Sequence, residues 1–270
     1  MSNRTEVVTP ELLHRWTLPQ PGDSKYGRGD VVVMGGSSGS PGAVMLAGAA
    51  ALRVGAGRLT LAVDESVAAG VAIAMPESAV ANIIDVDAAA SADAVLFGPG
   101  LDDPGVTVEL LRRLLALPAE PSLVLDAFAL GVLRDVDLSA WTGRLVLTPN
   151  RVEAALLLDV EEDAIDLERD IPRIATMHGA VVSCYGVVSD GERTLRVDAG
   201  GVGLGTSGSG DVLGGAIAGL AARGASPLQA AVFGTWAHAA AGDRLEQRIG
   251  PIGFLARELV DELPAVLATL

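Results

Sequence analysis

Short apolar runs alternate with helical patterns along most of the chain. The first run, at residues 31–34, is rich in β-branched residues, stops at Gly35 and Gly36, and precedes a small-residue helix predicted over 41–54 with proline at its start. Later apolar runs have helical segments between several of them and lie at 59–63, 94–97, 123–125, 145–147 and 181–183. This alternation predicts an α/β fold with a mostly parallel central sheet and helices on both faces.

Glycine or polar residues follow four of these runs, at 35–38, 98–100, 126–128 and 148–150. In open α/β sheets, ligands bind beyond the carboxyl ends of the strands. We therefore expect the four turns to converge on one crevice.

The N-terminal segment differs in composition from the rest of the chain. Residues 1–29 are polar and contain Pro19, Pro21 and Gly22, which predicts an arm leading into a single domain over residues 30–270. A chain of 270 residues is long for one domain, but α/β folds commonly reach this length as one unit. Helices are expected over 211–223 and 230–245, and the charged stretch 161–173 predicts a helix with a solvated face.

The formal charge of −15 restricts the partners of the protein. A diffuse negative field repels nucleic-acid backbones and anionic membranes, so we expect small-molecule ligands and neither of those partners. The chain has no run of about 18 uncharged apolar residues that would predict a spanning helix, and residues 1–15 carry charges. These features predict a cytoplasmic protein.

Cysteine and histidine are sparse in this chain. Cys184 is the only cysteine, which excludes an internal disulfide and a CxxC pair, and we expect it to be a buried thiol. His14 and His178 have no cluster of acidic neighbours in the sequence, and His238 is expected to be a packed, hydrogen-bonded histidine. No metal-ligand spacing is present, so no protein metal ligand is predicted.

The glycine-dense stretch 203–210 leads directly into the helix predicted from Asp211. Such glycines allow backbone N–H groups to approach an anion closely, and the helix start adds partial positive charge. Spacing alone leaves open a phosphate hole or a flexible loop with Asp211 as a capping residue. A carboxylate beside a phosphate hole makes chemical sense if it takes a proton from an attacking hydroxyl. The Walker, Rossmann and GxSxG patterns are absent from their expected positions.

The sequence GTSGSGDVLGG at 205–215 resembles the signature of ribokinase-like kinases, and specifically of the ADP/ATP-dependent NAD(P)H-hydrate dehydratases. Further matching segments follow in order at 25–36, 41–43, 50–57, 76–77, 98–101, 147–149 and 253–256. The resemblance therefore spans nearly the entire chain. It implies a ribokinase-like fold and a repair reaction that dehydrates the S-form of hydrated NADH or NADPH at the expense of ADP or ATP. A phosphoryl group would move to the hydrate's hydroxyl and leave as phosphate.

The resemblance also implies roles for individual residues. Asp211 would be the catalytic base and would line the hydrate pocket together with Ala43, Gly100 and Asn150. The phosphates and the nucleotide would be held by Gly186, Thr206, Gly208, Ser209 and Gly210. Mg²⁺ would bridge the nucleotide phosphates through oxygen ligands, and relatives are often homo-tetramers.

The sequence departs from the family pattern at several positions. Asn150 replaces the usual histidine and cannot titrate near neutral pH, and Tyr185 replaces a lysine that contacts the nucleotide. Phe128 replaces the second carboxylate of an Asp-Ala-Asp stretch that keeps Asp126, and Gly-Val replaces Asn-Pro at 201–202.

Two alternative functions remain. One is a small-alcohol kinase of the hydroxyethylthiazole or hydroxymethylpyrimidine type, which shares the glycine loop and the aspartate; the block at 25–57 favours the dehydratase. The other is a nucleotide-binding protein that has lost catalysis, suggested by Asn150 and Tyr185 and opposed by the retained Asp211.

Overall fold

The apolar runs form the middle of a ten-stranded sheet. The structure is a computed structural model and describes residues 5–20, 22–118 and 121–270. Its strands are β1 (Glu6–Val7), β2 (Asp30–Met34), β3 (Arg58–Val63), β4 (Ala79–Asn82), β5 (Ala94–Phe97), β6 (Ser122–Leu125), β7 (Leu145–Leu147), β8 (Val181–Cys184), β9 (Val187–Ser189) and β10 (Thr194–Arg196). Its α-helices are α1 (Pro10–Arg15), α2 (Pro41–Arg53), α3 (Glu65–Ala74), α4 (Pro104–Leu115), α5 (Arg151–Leu158), α6 (Leu167–His178), α7 (Ser209–Ala222), α8 (Pro227–Arg248) and α9 (Ala256–Leu267).

The order of the strands is β1-β10-β9-β8-β7-β6-β5-β2-β3-β4. All neighbouring strands from β8 to β4 are parallel, whereas β9 is antiparallel to both β8 and β10. The central strands are buried on both faces, which explains their continuous apolar sequences. One hydrophobic core contains residues of α2, α7, α8 and α9, and the other contains residues of α4, α5 and α6. The predicted α/β architecture is thereby confirmed.

Residues 5–20 contribute to the domain instead of only leading into it. Strand β1 pairs in parallel with β10. Leu13 of α1 is buried in the core, where Phe233 of α8 also lies. The predicted arm therefore contains one edge strand of the sheet and a helix that packs against the hydrophobic core.

The charged stretch 161–173 is only partly a solvated helix. A short 3-10 turn at Glu162–Ala164 precedes α6, whose inner face buries Ile171 and Ile174 completely. Asp170 is also buried, because Arg169 and Arg173 both pair with its carboxylate from the exposed side. The expectation of a merely solvated face is wrong for these positions, since two arginines allow an acidic residue to lie on the inner side. Within the described ranges, no helix is both long and apolar enough to cross a membrane.

Candidate active site

The turns that follow β2, β5, β6 and β7 lie side by side, because these strands are neighbours in the sheet. The N–H groups of Gly36 and Ser37 donate to the carbonyls of Pro99 and Gly100, each at 2.8 Å. On the other side of the row, the Thr148 hydroxyl donates to the Asp126 carboxylate at 2.7 Å. The four turns thus form one continuous edge, as the sequence predicts.

Ala43 and Gly100, two residues expected to bind the hydrate, are in contact across this edge. Gly100 has φ of 69°, and a β-carbon there would lie 2.4 Å from the carbonyl oxygen of Ser40 and 3.2 Å from Cβ of Ala43. Only glycine fits this close approach between the turn after β5 and the start of α2. Any side chain at position 100 would push the two turns apart.

Asn150, the third expected hydrate residue, caps α5. Its side-chain oxygen accepts the N–H of Glu153 at 2.9 Å, and the Glu153 carboxylate accepts the N–H of Asn150 at 2.8 Å. This reciprocal capping box uses the side-chain oxygen, so the amide NH₂ is the group that Asn150 can offer to a ligand. The Asn-x-x-Glu spacing is a local signal for this cap that was available in the sequence.

A pocket of about 400 Å³ opens beside these turns. Its lining is mostly apolar and consists of Leu101, Pro104, Ala127, Phe128, Gly131, Val132 and Glu153. Phe128, noted in the sequence only as a departure from the family, supplies an aromatic face to this pocket. The pocket is large enough for one ring of a small-molecule ligand.

The glycine loop ends where α7 begins, with Gly208 as the N-cap residue in the left-handed conformation at φ of 87°. In the described part of the chain, the N–H groups of Gly208, Gly210 and Asp211 have no hydrogen-bond acceptor. The N–H of Ser209 donates to the Thr206 carbonyl at 3.1 Å and is therefore engaged. Free N–H groups at a helix start favour an anion through hydrogen bonding and through the helix dipole.

Asp211 lies in the first turn of α7, directly beside these N–H groups. Its carboxylate oxygen Oδ2 is 3.8 Å from the position that a β-carbon on Gly208 would take, where Leu46 and Ala256 also lie. Burial raises the pKa of Asp211 to about 6. Because Gly208 is the N-cap residue and no side chain caps this helix, the capping interpretation of Asp211 fails. A half-buried carboxylate with a raised pKa beside an anion site is suited to accept a proton.

Asp126 is a second acidic residue at this edge. It is 5% exposed and lies behind α7, with Oδ2 at 3.1 Å from where a β-carbon on Gly214 would be. Burial raises the pKa of Asp126 to about 7, partly opposed by the Thr148 hydrogen bond and reinforced by the charge of Asp211. Two carboxyl groups that interact in this way do not both ionise freely at neutral pH.

Replacing Asp126 with asparagine should stabilise the protein at pH 8 and leave its stability unchanged near pH 4. The folded state keeps the Asp126 proton up to about pH 7, whereas the unfolded chain releases it near 3.8. Stability therefore falls as pH rises through this window, by at most about 4 kcal/mol. The asparagine side chain would stay neutral and could still accept the Thr148 hydroxyl. Thermal melts of both proteins across this pH range test the expectation, and a difference that does not change with pH contradicts it.

Helix α8 connects the glycine loop to the sheet. The Nε2 atom of His238 is 2.9 Å from the Ser209 hydroxyl, and Thr235 makes a 2.7 Å hydrogen bond with Ser183 of β8. Burial lowers the pKa of His238 to about 4, so the imidazole is neutral at physiological pH. His238 is the packed, hydrogen-bonded histidine that we expected, and it positions the Ser209 side chain.

The remaining expected nucleotide residue, Gly186, lies in the turn between β8 and β9. Gly186 has φ of 82°, and its carbonyl accepts the N–H of Val197 at 2.8 Å. From Val197 the chain continues through the short 3-10 turn Val202–Gly205 into Thr206. Gly186 is thus connected to the segment that leads into the glycine loop.

The described ranges contain few side chains that could bind a metal or act as a reactive thiol. These ranges contain no group of three or more His, Cys, Asp or Glu side chains that could hold a metal ion. Cys184 is buried, and burial raises the pKa of its thiol to about 12. The thiol is therefore unreactive, as expected for a structural cysteine.

The sequence profile of the family described as NAD(P)H-hydrate dehydratase matches residues 31–265. The chain belongs to the NAD(P)H-hydrate dehydratase family. A relative from Xanthomonas campestris pv. campestris, named ADP-dependent (S)-NAD(P)H-hydrate dehydratase, is 44% identical over 287 residues, which cover 99% of this chain and 98% of the relative. Membership of this family favours the dehydratase over the alternative of a small-alcohol kinase.

Two solved structures show how far the likeness extends in three dimensions. A ribokinase-like superfamily protein from Enterococcus faecalis has a TM-score of 0.87 at 22% identity, over 98% of this chain and 96% of that one. The ADP/ATP-dependent NAD(P)H-hydrate dehydratase from Bacillus subtilis, co-crystallised with ATP and Mg²⁺, has a TM-score of 0.82 at 25% identity over 98% of both chains. The ribokinase-like fold of this family member is confirmed.

Proposed function

We propose that this protein is an ADP-dependent (S)-NAD(P)H-hydrate dehydratase, a hydro-lyase that restores NADH or NADPH from its hydrate. The observation that carries the proposal is the position of Asp211, a half-buried carboxylate with a raised pKa beside N–H groups at the start of α7 that have no acceptor among the described residues. The 44% identity with a relative named for this activity supports the same reaction and favours ADP as the donor.

The transferred phosphoryl group of ADP lies at the start of α7, where the N–H groups of Gly208, Gly210 and Asp211 are free to donate to its oxygens. The hydroxyl oxygen of the hydrate attacks the phosphorus, and the bond to AMP breaks. Asp211 accepts the hydroxyl proton as the new oxygen–phosphorus bond forms. The phosphate then leaves with the carbon–oxygen bonding electrons, and the neighbouring carbon loses a proton to solvent as the double bond is restored.

We assign the hydrate to the opposite side of the same crevice. Ala43 and Gly100 would form one wall there, and the amide NH₂ of Asn150, which the capping box leaves free, would donate to polar groups of the substrate. Thr206 and Gly186 would contact the nucleotide, and Ser209, whose N–H is engaged, would contribute its hydroxyl. These roles are the ones that the resemblance to the family implies for each position.

Mg²⁺ accompanies the nucleotide in this proposal. Phosphate oxygens would supply most of its ligands, since the described residues contain no set of three side chains that could hold a metal. The Asp211 carboxylate beside the phosphate site fits a divalent cation, which would neutralise phosphate charge in a strongly negative protein. We further propose that residues 30–270 act as one catalytic domain together with β1 and α1. We also propose that the protein assembles as a homo-tetramer and works in the cytoplasm, where a free thiol such as Cys184 stays reduced.

Purified protein with ADP and Mg²⁺ should restore the near-ultraviolet absorbance of NADH from its S-hydrate, releasing one AMP and one phosphate per turnover. ATP in place of ADP measures the donor preference, and we expect higher kcat/KM with ADP. The R-hydrate is the matched control and should remain unchanged.

Failure to recover absorbance with either nucleotide would reject the proposed function. ADP binding without turnover would instead support the alternative that the protein binds nucleotides and has lost catalysis. Calorimetric titration with ADP distinguishes the two outcomes.

A further inference from the structure

The turn between β8 and β9 holds an aromatic residue in a conformation that such residues rarely adopt. Tyr185 and Gly186 have φ of 46° and 82°, in a two-residue hairpin turn that pairs Cys184 with Val187. Turns with positive φ at both central positions favour Asn-Gly or Asp-Gly, because a β-carbon makes the left-handed conformation costly. Burial offsets little of this cost, since Tyr185 is 67% exposed.

Arg151 contacts the exposed ring from one side. The guanidinium carbon lies 5.8 Å from the ring centroid of Tyr185. Its Nη1 also donates to the carbonyl of Ile165 at 3.1 Å, which fixes the side chain. The Arg151 guanidinium therefore contacts one face of the Tyr185 ring and leaves the other face available to a ligand.

The turn lies at the carboxyl end of the sheet, beside the candidate active site. Strand β8 is parallel to β7, with Val182 opposite Leu147. The turn after β8 therefore lies next to the end of β7, from which the chain leads to Asn150 and α5. The neighbouring turn at this edge carries Asn150, which we assign to the hydrate side of the crevice.

Helix α8 sets the separation between this turn and the start of α7. Thr235 bonds Ser183, and His238 bonds Ser209. Positions 235 and 238 are about 4.5 Å apart along the helix axis, and Tyr185 follows Ser183 by two residues, about 6.5 Å in an extended strand. The end of β8 and the start of α7 are therefore held by residues one turn apart on the same helix, which places the turn that carries Tyr185 on the same side of the crevice as the phosphate site. The base of a nucleoside diphosphate extends away from its terminal phosphate and can reach a neighbouring turn.

We propose that Tyr185 is the nucleobase platform of the phosphoryl-donor site, with the adenine of ADP stacked on the ring face opposite Arg151. The proposal rests on the proposed function and adds to it the residue that binds the base. Stacking on a tyrosine uses the π-face of the base and favours purines, whose rings are larger. In this proposal the strained backbone of Tyr185 is retained because its exposed ring binds the ligand, although the ring adds little to the stability of the fold.

Calorimetric titration of the full-length protein with ADP and Mg²⁺ tests this platform. Tyr185→Asn should raise the dissociation constant for ADP roughly ten-fold, because the stacking surface is lost. The same variant should have a higher Tm than the wild type, because asparagine suits the turn. Tyr185→Phe keeps an aromatic ring and should bind ADP within about two-fold of the wild type. A merely structural tyrosine would give the opposite result for stability and no change in affinity.

Tyr26 is a matched control. It is 66% exposed and lies between the cations of Lys25 and Arg58, 5.2 and 4.9 Å from its ring centroid, but it precedes the amino end of β2. Tyr26→Asn should leave ADP affinity unchanged. AMP, which retains the base, should lose affinity for Tyr185→Asn by the same factor as ADP.

Three results would overturn the platform. If the wild type binds ADP and turns over while Tyr185→Asn binds ADP equally well, the platform is wrong and the proposed function stands. If the variant raises only the KM for the hydrate, Tyr185 belongs to the hydrate side and the platform is again wrong. If the wild type neither binds ADP nor turns over, both the platform and the proposed function are rejected.

Discussion

Replacing Asp211 with asparagine is expected to lower kcat by about 10²- to 10⁴-fold, the usual contribution of a general base. The amide has nearly the same shape as the carboxylate, but it cannot accept the proton of the attacking hydroxyl. The loss should appear in single-turnover experiments with saturating ADP, in which chemistry and not binding is measured. ADP affinity should be retained, because the N–H groups at the start of α7 remain.

The pH dependence of the wild type provides a second test of the same residue. Burial raises the pKa of Asp211 to about 6, and a base must be deprotonated to act. The rate constant kcat/KM should therefore rise with pH through about 6, and this limb should be absent from the residual activity of Asp211→Asn.

The fold of this variant should be intact. The pKa of Asp211 is higher in the folded state than its ordinary value of 3.8. The ionised carboxylate therefore lowers the free energy of unfolding above about pH 6, whereas below about pH 4 the protonated group has no such effect. Asp211→Asn is therefore expected to melt at the same temperature as the wild type near pH 4 and no lower at pH 8. Asp261→Asn removes one exposed charge from α9 and is the control for net charge. Full activity of Asp211→Asn would show that Asp211 is not the base that accepts the hydroxyl proton.

The sequence predicts the parts of the site that depend on local signals. The runs at 94–97 and 145–147 form strands with the predicted bounds, and the glycine loop leads into α7 two residues before the predicted start. These elements are recognisable because strand patterning and helix-start signals act over a few residues. The convergence of the turns follows from the parallel sheet itself.

The parts that sequence analysis missed depend on contacts between distant segments. The hydrogen bond between Thr148 and Asp126 joins residues 22 apart, and that between Ser209 and His238 joins residues 29 apart. Both depend on the order of the strands and on the packing of α8, which no local pattern encodes. Strand β1 pairs with β10 from the other end of the chain for only two residues, too short for an alternating pattern.

Replacing Gly215 with alanine should destabilise the protein by about 3 kcal/mol or more, the upper range for overpacked cores. Helices α2 and α7 pack so closely that a β-carbon at Gly215 would lie 2.0 Å from the carbonyl oxygen of Ala47 and 2.6 Å from its Cα. These are backbone atoms, so no side-chain rotation relieves the clash. The gain of about 1 kcal/mol in helix propensity is too small to offset it. Urea denaturation of variant and wild type measures the difference.

Gly70→Ala is the matched control, because Gly70 also lies inside a helix and a β-carbon there would meet nothing within 4 Å. This variant should be more stable by up to about 1 kcal/mol. Equal stability of Gly215→Ala and the wild type would show that α2 can move away from α7 at little cost.

Helix α2 also carries residues of the candidate active site, so a shift of this helix is expected to affect catalysis. Its first turn holds Ala43 against Gly100, and Leu46 lies where Gly208 and Asp211 meet. A shift of α2 by the width of one methyl group therefore changes the hydrate wall and the phosphate site together. The folded fraction of Gly215→Ala should have a lower kcat/KM than the wild type at the same concentration of folded protein. Wild-type kcat/KM in that fraction would mean that the close packing of α2 and α7 serves stability alone.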